Sequence, residues 1–60
     1  MKVTIGSIVE FERKQLTIMG KVQEIKQNSV IVVISENVAS SLGYDTNLTV
    51  VNHKNYKILS

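Results

Sequence analysis

The stretch LTIMGKVQEIKQNSVIVVI, residues 16–34, decides the fold. Its first ten residues alternate: Ile18, Gly20 and Val22 fall on one face of an extended chain, Lys21 and Gln23 on the other. Ile25 lies an odd number of residues from Val22 and breaks the step. A β-bulge near Gln23–Glu24 returns Ile25 to the apolar face and bends the strand. Gly20 inside the strand marks strong curvature or close backbone approach. Gln27-Asn28-Ser29 reads as a hairpin connection, with Asn28 suited to the left-handed region. Val30 to Ile34 is then apolar on both faces. Such a run fits a central strand whose outer face is covered by a loop of the same chain or by a partner.

Working outward, Ser7 to Phe11 predicts a first strand entered through Gly6, with Phe11 buried, and the fully polar Glu12-Arg13-Lys14-Gln15 predicts a loop. Ser35 to Asn47 is the least strand-like part of the chain. Ser35 suits an N-cap, Glu36 suits the first turn and Gly43 suits the residue after the helix end. Val38 and Leu42, four apart, give that short helix an apolar side. Leu48 to Val51 and Tyr56 to Leu59 complete the strands. Between them Asn52-His53-Lys54-Asn55 predicts a hairpin tip, with Asn55 taking a positive φ. The expected architecture is mainly β: a small five-stranded barrel with one short helical segment between strands 3 and 4.

Sixty residues predict a single domain spanning 1–60. A chain this short buries only about 60% of the surface its unfolded form exposes, so its core is thin. The chain has no cysteine and one histidine, which excludes a disulfide framework and a Cys/His zinc cluster. No cofactor and no metal are expected. The opening MKVTIGSIVEF holds neither a signal-peptide core nor a membrane span, so the expectation is a soluble cytoplasmic protein. The net charge of +2 permits nucleic-acid contact without demanding it.

Three segments are glycine-punctuated in a recognisable way: Gly6-Ser7-Ile8-Val9-Glu10-Phe11, Ile18-Met19-Gly20-Lys21-Val22 and Asn28-Ser29-Val30-Ile31-Val32. Together they resemble KOW-like, SH3-type barrels. The closing Thr49-Val50-Val51-Asn52-His53-Lys54-Asn55-Tyr56-Lys57-Ile58 resembles the ending of a family of small bacterial domains of unknown function, mostly Gram-positive, related to that barrel group. The resemblance spans nearly the whole chain apart from residues 35–45. It implies an SH3-like fold with no assigned activity. Where the KOW pattern has a second glycine after its first strand, this chain has Glu12-Arg13-Lys14, a departure that weakens any carry-over of RNA-contacting loop residues.

Catalysis needs positioned groups in a concave, partly dry pocket, and a sixty-residue barrel fills its interior with side chains. His53 has no nucleophile or acidic orienting group beside it in sequence. Glu10 and Glu12 read as a solvated pair, and Gly20-Lys21 lacks the glycine at position 15 that a phosphate-binding loop requires. No enzymatic activity is expected. Two binding readings lead, ahead of small-ligand binding. In the first, Met19, Ile31, Val33, Val51 and Leu59 form an exposed apolar face that docks a protein partner or a second copy of the chain. In the second, Arg13, Lys14, Lys21, Lys26, Lys54 and Lys57 form a basic stripe that contacts RNA, with Tyr44 or Tyr56 offering a stacking ring.

Overall fold

The computed structural model describes residues 2–60. Its longest strand, β2 (Leu16–Ile25), buries Ile18, Gly20 and Val22 and exposes Thr17, Met19, Lys21 and Gln23, as the alternation requires. Strand β1 (Ile8–Arg13) lies antiparallel along one side of β2, and β3 (Ser29–Val33) along the other. Strand β4 (Leu48–Asn52) pairs with β3, and β5 (Tyr56–Ile58) pairs with β1. All five strands form one antiparallel sheet in the order β4-β3-β2-β1-β5, with helix α1 (Glu36–Leu42) linking β3 to β4.

Consecutive strands β4 and β5 therefore sit at opposite edges of the sheet. The chain from Asn52 to Tyr56 reaches at most about 14 Å when fully extended. The two edges can be joined by so short a link only because the sheet curls until they approach. The expected hairpin tip is thus a corner between two edges. Its turn is closed by the Asn55 N–H donating to the Asn52 carbonyl at 2.9 Å, and Asn55 does not take a positive φ.

Two features of β2 permit the curl. The register slips by one residue between Val22, opposite Val32, and Glu24, opposite Ile31. Such a bulge increases the local twist. Gly20 lies where a Cβ would stand 3.0 Å from the Val33 carbonyl oxygen and 3.2 Å from the Val32 Cβ, so neighbouring backbone occupies the space a side chain would need. The bulge also puts Ile25 opposite the inward-facing Val30. Val30 itself is fully buried, yet Ile25 remains 40% exposed.

The core consists of Val9, Phe11, Ile18, Val22, Val30, Val32, Ile34, Ala39, Leu42 and Val51. Full burial of a valine-sized side chain is worth about 1.5–3 kcal/mol before conformational entropy is charged against it. Helix α1 adds Ala39 and Leu42 to this core, with Val38 packed beside them. The Ser35 hydroxyl accepts from the Val38 N–H at 3.2 Å, and Gly43 ends the helix at φ 77°, where the Tyr44 N–H reaches the Ala39 carbonyl at 2.9 Å. Both caps fall where the residue types place them.

The first loop does not. Glu12 and Arg13 belong to β1, opposite Thr17 and Leu16, and only Lys14 and Gln15 connect β1 to β2. Both take positive φ, 49° and 65°. This is the geometry of a two-residue hairpin turn that matches the right-handed twist of its strands. Asn28, expected to be left-handed, is not.

Candidate interaction surfaces

His53 sits at the β4–β5 corner with both ring nitrogens engaged. Nε2 lies 2.9 Å from the Lys26 carbonyl oxygen, and Nδ1 lies 2.8 Å from the Tyr56 hydroxyl. A carbonyl only accepts, so Nε2 carries a proton, and in the neutral ring Nδ1 accepts from the tyrosine. The His53 backbone N–H also donates to the Asn28 carbonyl at 3.1 Å. One residue thereby ties the corner to the β2–β3 hairpin. It is more than a polar residue filling a turn.

The basic residues do not converge on one stripe. Arg13 crosses the gap between the sheet edges: its Nη2 donates to the Val50 carbonyl at 2.6 Å, and its guanidinium carbon lies 5.6 Å from the Phe11 ring centre. Lys14 donates from Nζ to the Leu42 carbonyl at 2.9 Å, anchoring the C-terminal end of α1 to the first turn. Lys26 pairs with Glu24 at 3.0 Å on the surface. Lys21 points outward from β2 between Ile8 and Val33. Lys54 and Lys57 share a groove of about 980 Å³ with Arg13, and Glu10 and Glu12 line the same groove. Three of the six predicted cations meet there, and two carboxylates offset most of their charge. Tyr44 and Tyr56 are each half-buried against the core.

The apolar candidates divide more sharply. Ile31 and Val33 point outward from β3 and are half-buried. Met19 is 63% exposed on the outer face of β2, and Leu59 is exposed beyond β5, on the far side of β1 from the others. Val51 is the exception, at 1% exposure in the core. It lies opposite the buried Val30, so inward parity in β4 belongs to Thr49 and Val51, and outward parity to Leu48 and Val50. The correction matters, because Val50 faces Ile31 and Leu48 faces Val33 across the β3–β4 ladder. Four aliphatic side chains thus form one contiguous outward block. Sequence reasoning missed Leu48 and Val50 because LTVVN reads as a half-buried strand in either parity. The open edge of β4, by contrast, is largely occupied: Arg13 holds the Val50 carbonyl, the Thr46 hydroxyl contacts both the N–H and the carbonyl of Leu48, and Asn55 holds the Asn52 carbonyl. Side chains that occupy an edge in this way discourage strand addition.

Among the described residues no group of His, Cys, Asp and Glu is placed to hold a metal ion, and no helix is long and apolar enough to cross a membrane.

Fold and surfaces together define a small, mainly β domain whose polar side chains brace a curled sheet and whose outer face displays an aliphatic block. The chain belongs to a bacterial family described as "Uncharacterized protein conserved in bacteria (DUF2187)", whose model matches residues 1–59. It is similar to "Uncharacterized protein YkvS" of Bacillus subtilis (strain 168), with 44% identity over 62 residues covering 98% of this chain and 93% of that protein. No solved structure matches the chain.

Proposed function

We propose that this chain is a non-enzymatic binding module with an SH3-like barrel, and that it engages protein through the outer face of β3 and β4. One observation carries the reading: Ile31, Val33, Leu48 and Val50 form a contiguous aliphatic block, and α1 does not cover it because its own apolar side is spent in the core. Removing apolar surface from water is worth about 25 cal/mol per Å², and contiguous apolar patches on small soluble chains mark interaction sites. The SH3-like description is supported by the strand order, the bulged β2 and the short corner that joins the two edges. The non-catalytic role is supported by the histidine, whose nitrogens are both committed to holding the fold.

RNA binding is the competing reading, and its support is the groove that gathers Arg13, Lys54 and Lys57. The same groove carries Glu10 and Glu12, which repel phosphate. A photo-cross-linking side chain at position 50, compared with one at position 54, separates the two in cells. The docking reading expects protein adducts at position 50 that survive nuclease. Adducts confined to position 54 and lost with nuclease replace it with the RNA reading.

A further inference from the structure

We infer that the occupant of the β3–β4 face is a second copy of this chain, packed face to face about a two-fold axis that lies in the interface perpendicular to the strands. The inference rests on the docking reading above and names its partner. It comes from the charges that border the aliphatic block.

On the β2 side of the block stand two ionised residues of opposite sign. Lys21 is opposite Val33, and Glu24 is opposite Ile31. Both are exposed, and Lys26, 3.0 Å from Glu24, is the only charged neighbour that contacts either of them among the described residues. A two-fold axis perpendicular to the strands reverses strand direction and leaves the order across the sheet unchanged. It therefore places Lys21 of one copy over Glu24 of the other, and Glu24 over Lys21. The same rotation sets Ile31 against Val33 and Val50 against Leu48. Symmetric dimers require this self-complementarity, in which residue i meets j and j meets i. A face bordered by a single sign of charge would repel its own copy and call for an oppositely charged partner; this face is complementary to itself. The occupied β4 edge points the same way, since face packing leaves the edge bonds undisturbed.

Size sets the strength. A standard interface takes about 800 Å² from each partner, close to a fifth of the 4297 Å² this chain exposes. The outer face of three strands, five residues long, measures only about 14 Å by 17 Å. The dimer accordingly belongs to the small, transient class, with half-association on the order of 0.1 mM.

Sedimentation velocity on the purified full chain, from about 10 µM to about 1 mM, tests this. The expected result is a weight-average mass that rises from 6.7 kDa toward twice that value. Val50→Lys, Lys21→Glu and Glu24→Lys should each hold the mass at the monomer value at every concentration. The triple variant Lys21→Glu/Glu24→Lys/Lys26→Glu should restore self-association, because it reverses both signs of each intermolecular pair and keeps an opposite charge beside position 24. All these positions are exposed, and circular dichroism melts verify that each variant is folded. A wild-type chain that stays at 6.7 kDa throughout overturns the second-copy inference. So does a dimer indifferent to Val50→Lys, or a triple variant that remains monomeric while folded. The docking reading is judged separately: cross-links from position 50 to a different protein preserve it when self-association fails, and the absence of both ends both.

Discussion

Gln15 offers the cleanest test of the backbone geometry, because its side chain is exposed and its φ of 65° lies in the left-handed region. That region costs an L-residue roughly 1–2 kcal/mol. Glycine removes the cost while adding about 0.5–1 kcal/mol of unfolded-state freedom. Gln15→Gly should therefore stabilise the fold by about 0.5–1 kcal/mol. Valine branches at Cβ, which makes a positive φ a true outlier, so Gln15→Val should lose roughly 1–2 kcal/mol. For a domain of this size each kcal/mol moves the melting temperature by about 4–8 °C. Thermal unfolding followed by circular dichroism should place the glycine variant at least about 6 °C above the valine variant, with the native chain between them. A valine variant that melts with or above the native protein would mean that Lys14 and Gln15 do not form the two-residue turn, and the registered β1–β2 hairpin would fall with it.

Four further substitutions probe the curl, the parity of β4 and the corner. Gly20→Ala sets the gain from a less flexible unfolded chain, about 0.4–1 kcal/mol, against about 1–3 kcal/mol of crowding at Val32 and Val33. A net loss of roughly 1 kcal/mol in urea titration is expected, and a more stable variant would show that β2 does not approach its neighbour so closely. Val51→Ala should cost about 2–3 kcal/mol while Val50→Ala stays within about 0.5 kcal/mol of the native chain; the reverse order in the same titration would restore the opposite strand parity. His53→Ala removes two ring hydrogen bonds at a partly exposed corner, and should lower stability by roughly 1–2 kcal/mol, with faster amide exchange at the corner and at the β2–β3 hairpin. Unchanged exchange at the hairpin would show that the imidazole does not tie the two together.

Much of this fold was legible because period-two patterning and cap chemistry are local signals. Ile18, Gly20 and Val22 announced the inner face of β2, Ile25 announced the bulge by being out of step, and Ser35 with Gly43 bounded α1 within a residue. Three things were not legible, for different reasons. The β1–β2 turn uses Lys14 and Gln15 where local preference favours Asn-Gly, while the asparagines at 28 and 55 keep ordinary φ values; the long β1–β2 register, closed by Arg13 opposite Leu16, overrides turn propensity there. The parity of β4 depends on which of its residues meets Val30, a contact across twenty residues of sequence. The strand order is non-local as well, and so a corner between two sheet edges looks the same in sequence as a hairpin tip. The candidate surfaces inherit these gaps: Val51 moved into the core, Leu48 and Val50 moved out, and the supposed basic stripe split because Arg13 and Lys14 bond backbone carbonyls far along the chain.

The division of labour between polar and apolar residues follows from size. A sixty-residue chain without cysteine cannot hold a curled sheet closed with disulfides, and its thin core leaves the sheet edges under-supported. Side chains that look functional in sequence take over that work. Arg13 bridges β1 to the open edge of β4, Lys14 anchors α1, and His53 joins the corner to the β2–β3 hairpin. Each of these bonds ends on a backbone carbonyl, at a sheet edge, a helix terminus and a hairpin connection respectively, and an intramolecular hydrogen bond of this kind contributes about 0.5–1.5 kcal/mol net. Residues committed in this way are poorly available to a ligand. The outward aliphatics of β3 and β4 have the opposite character, since they leave apolar surface in water and serve neither the core nor the closure of the sheet. That is the character the proposed docking face calls for.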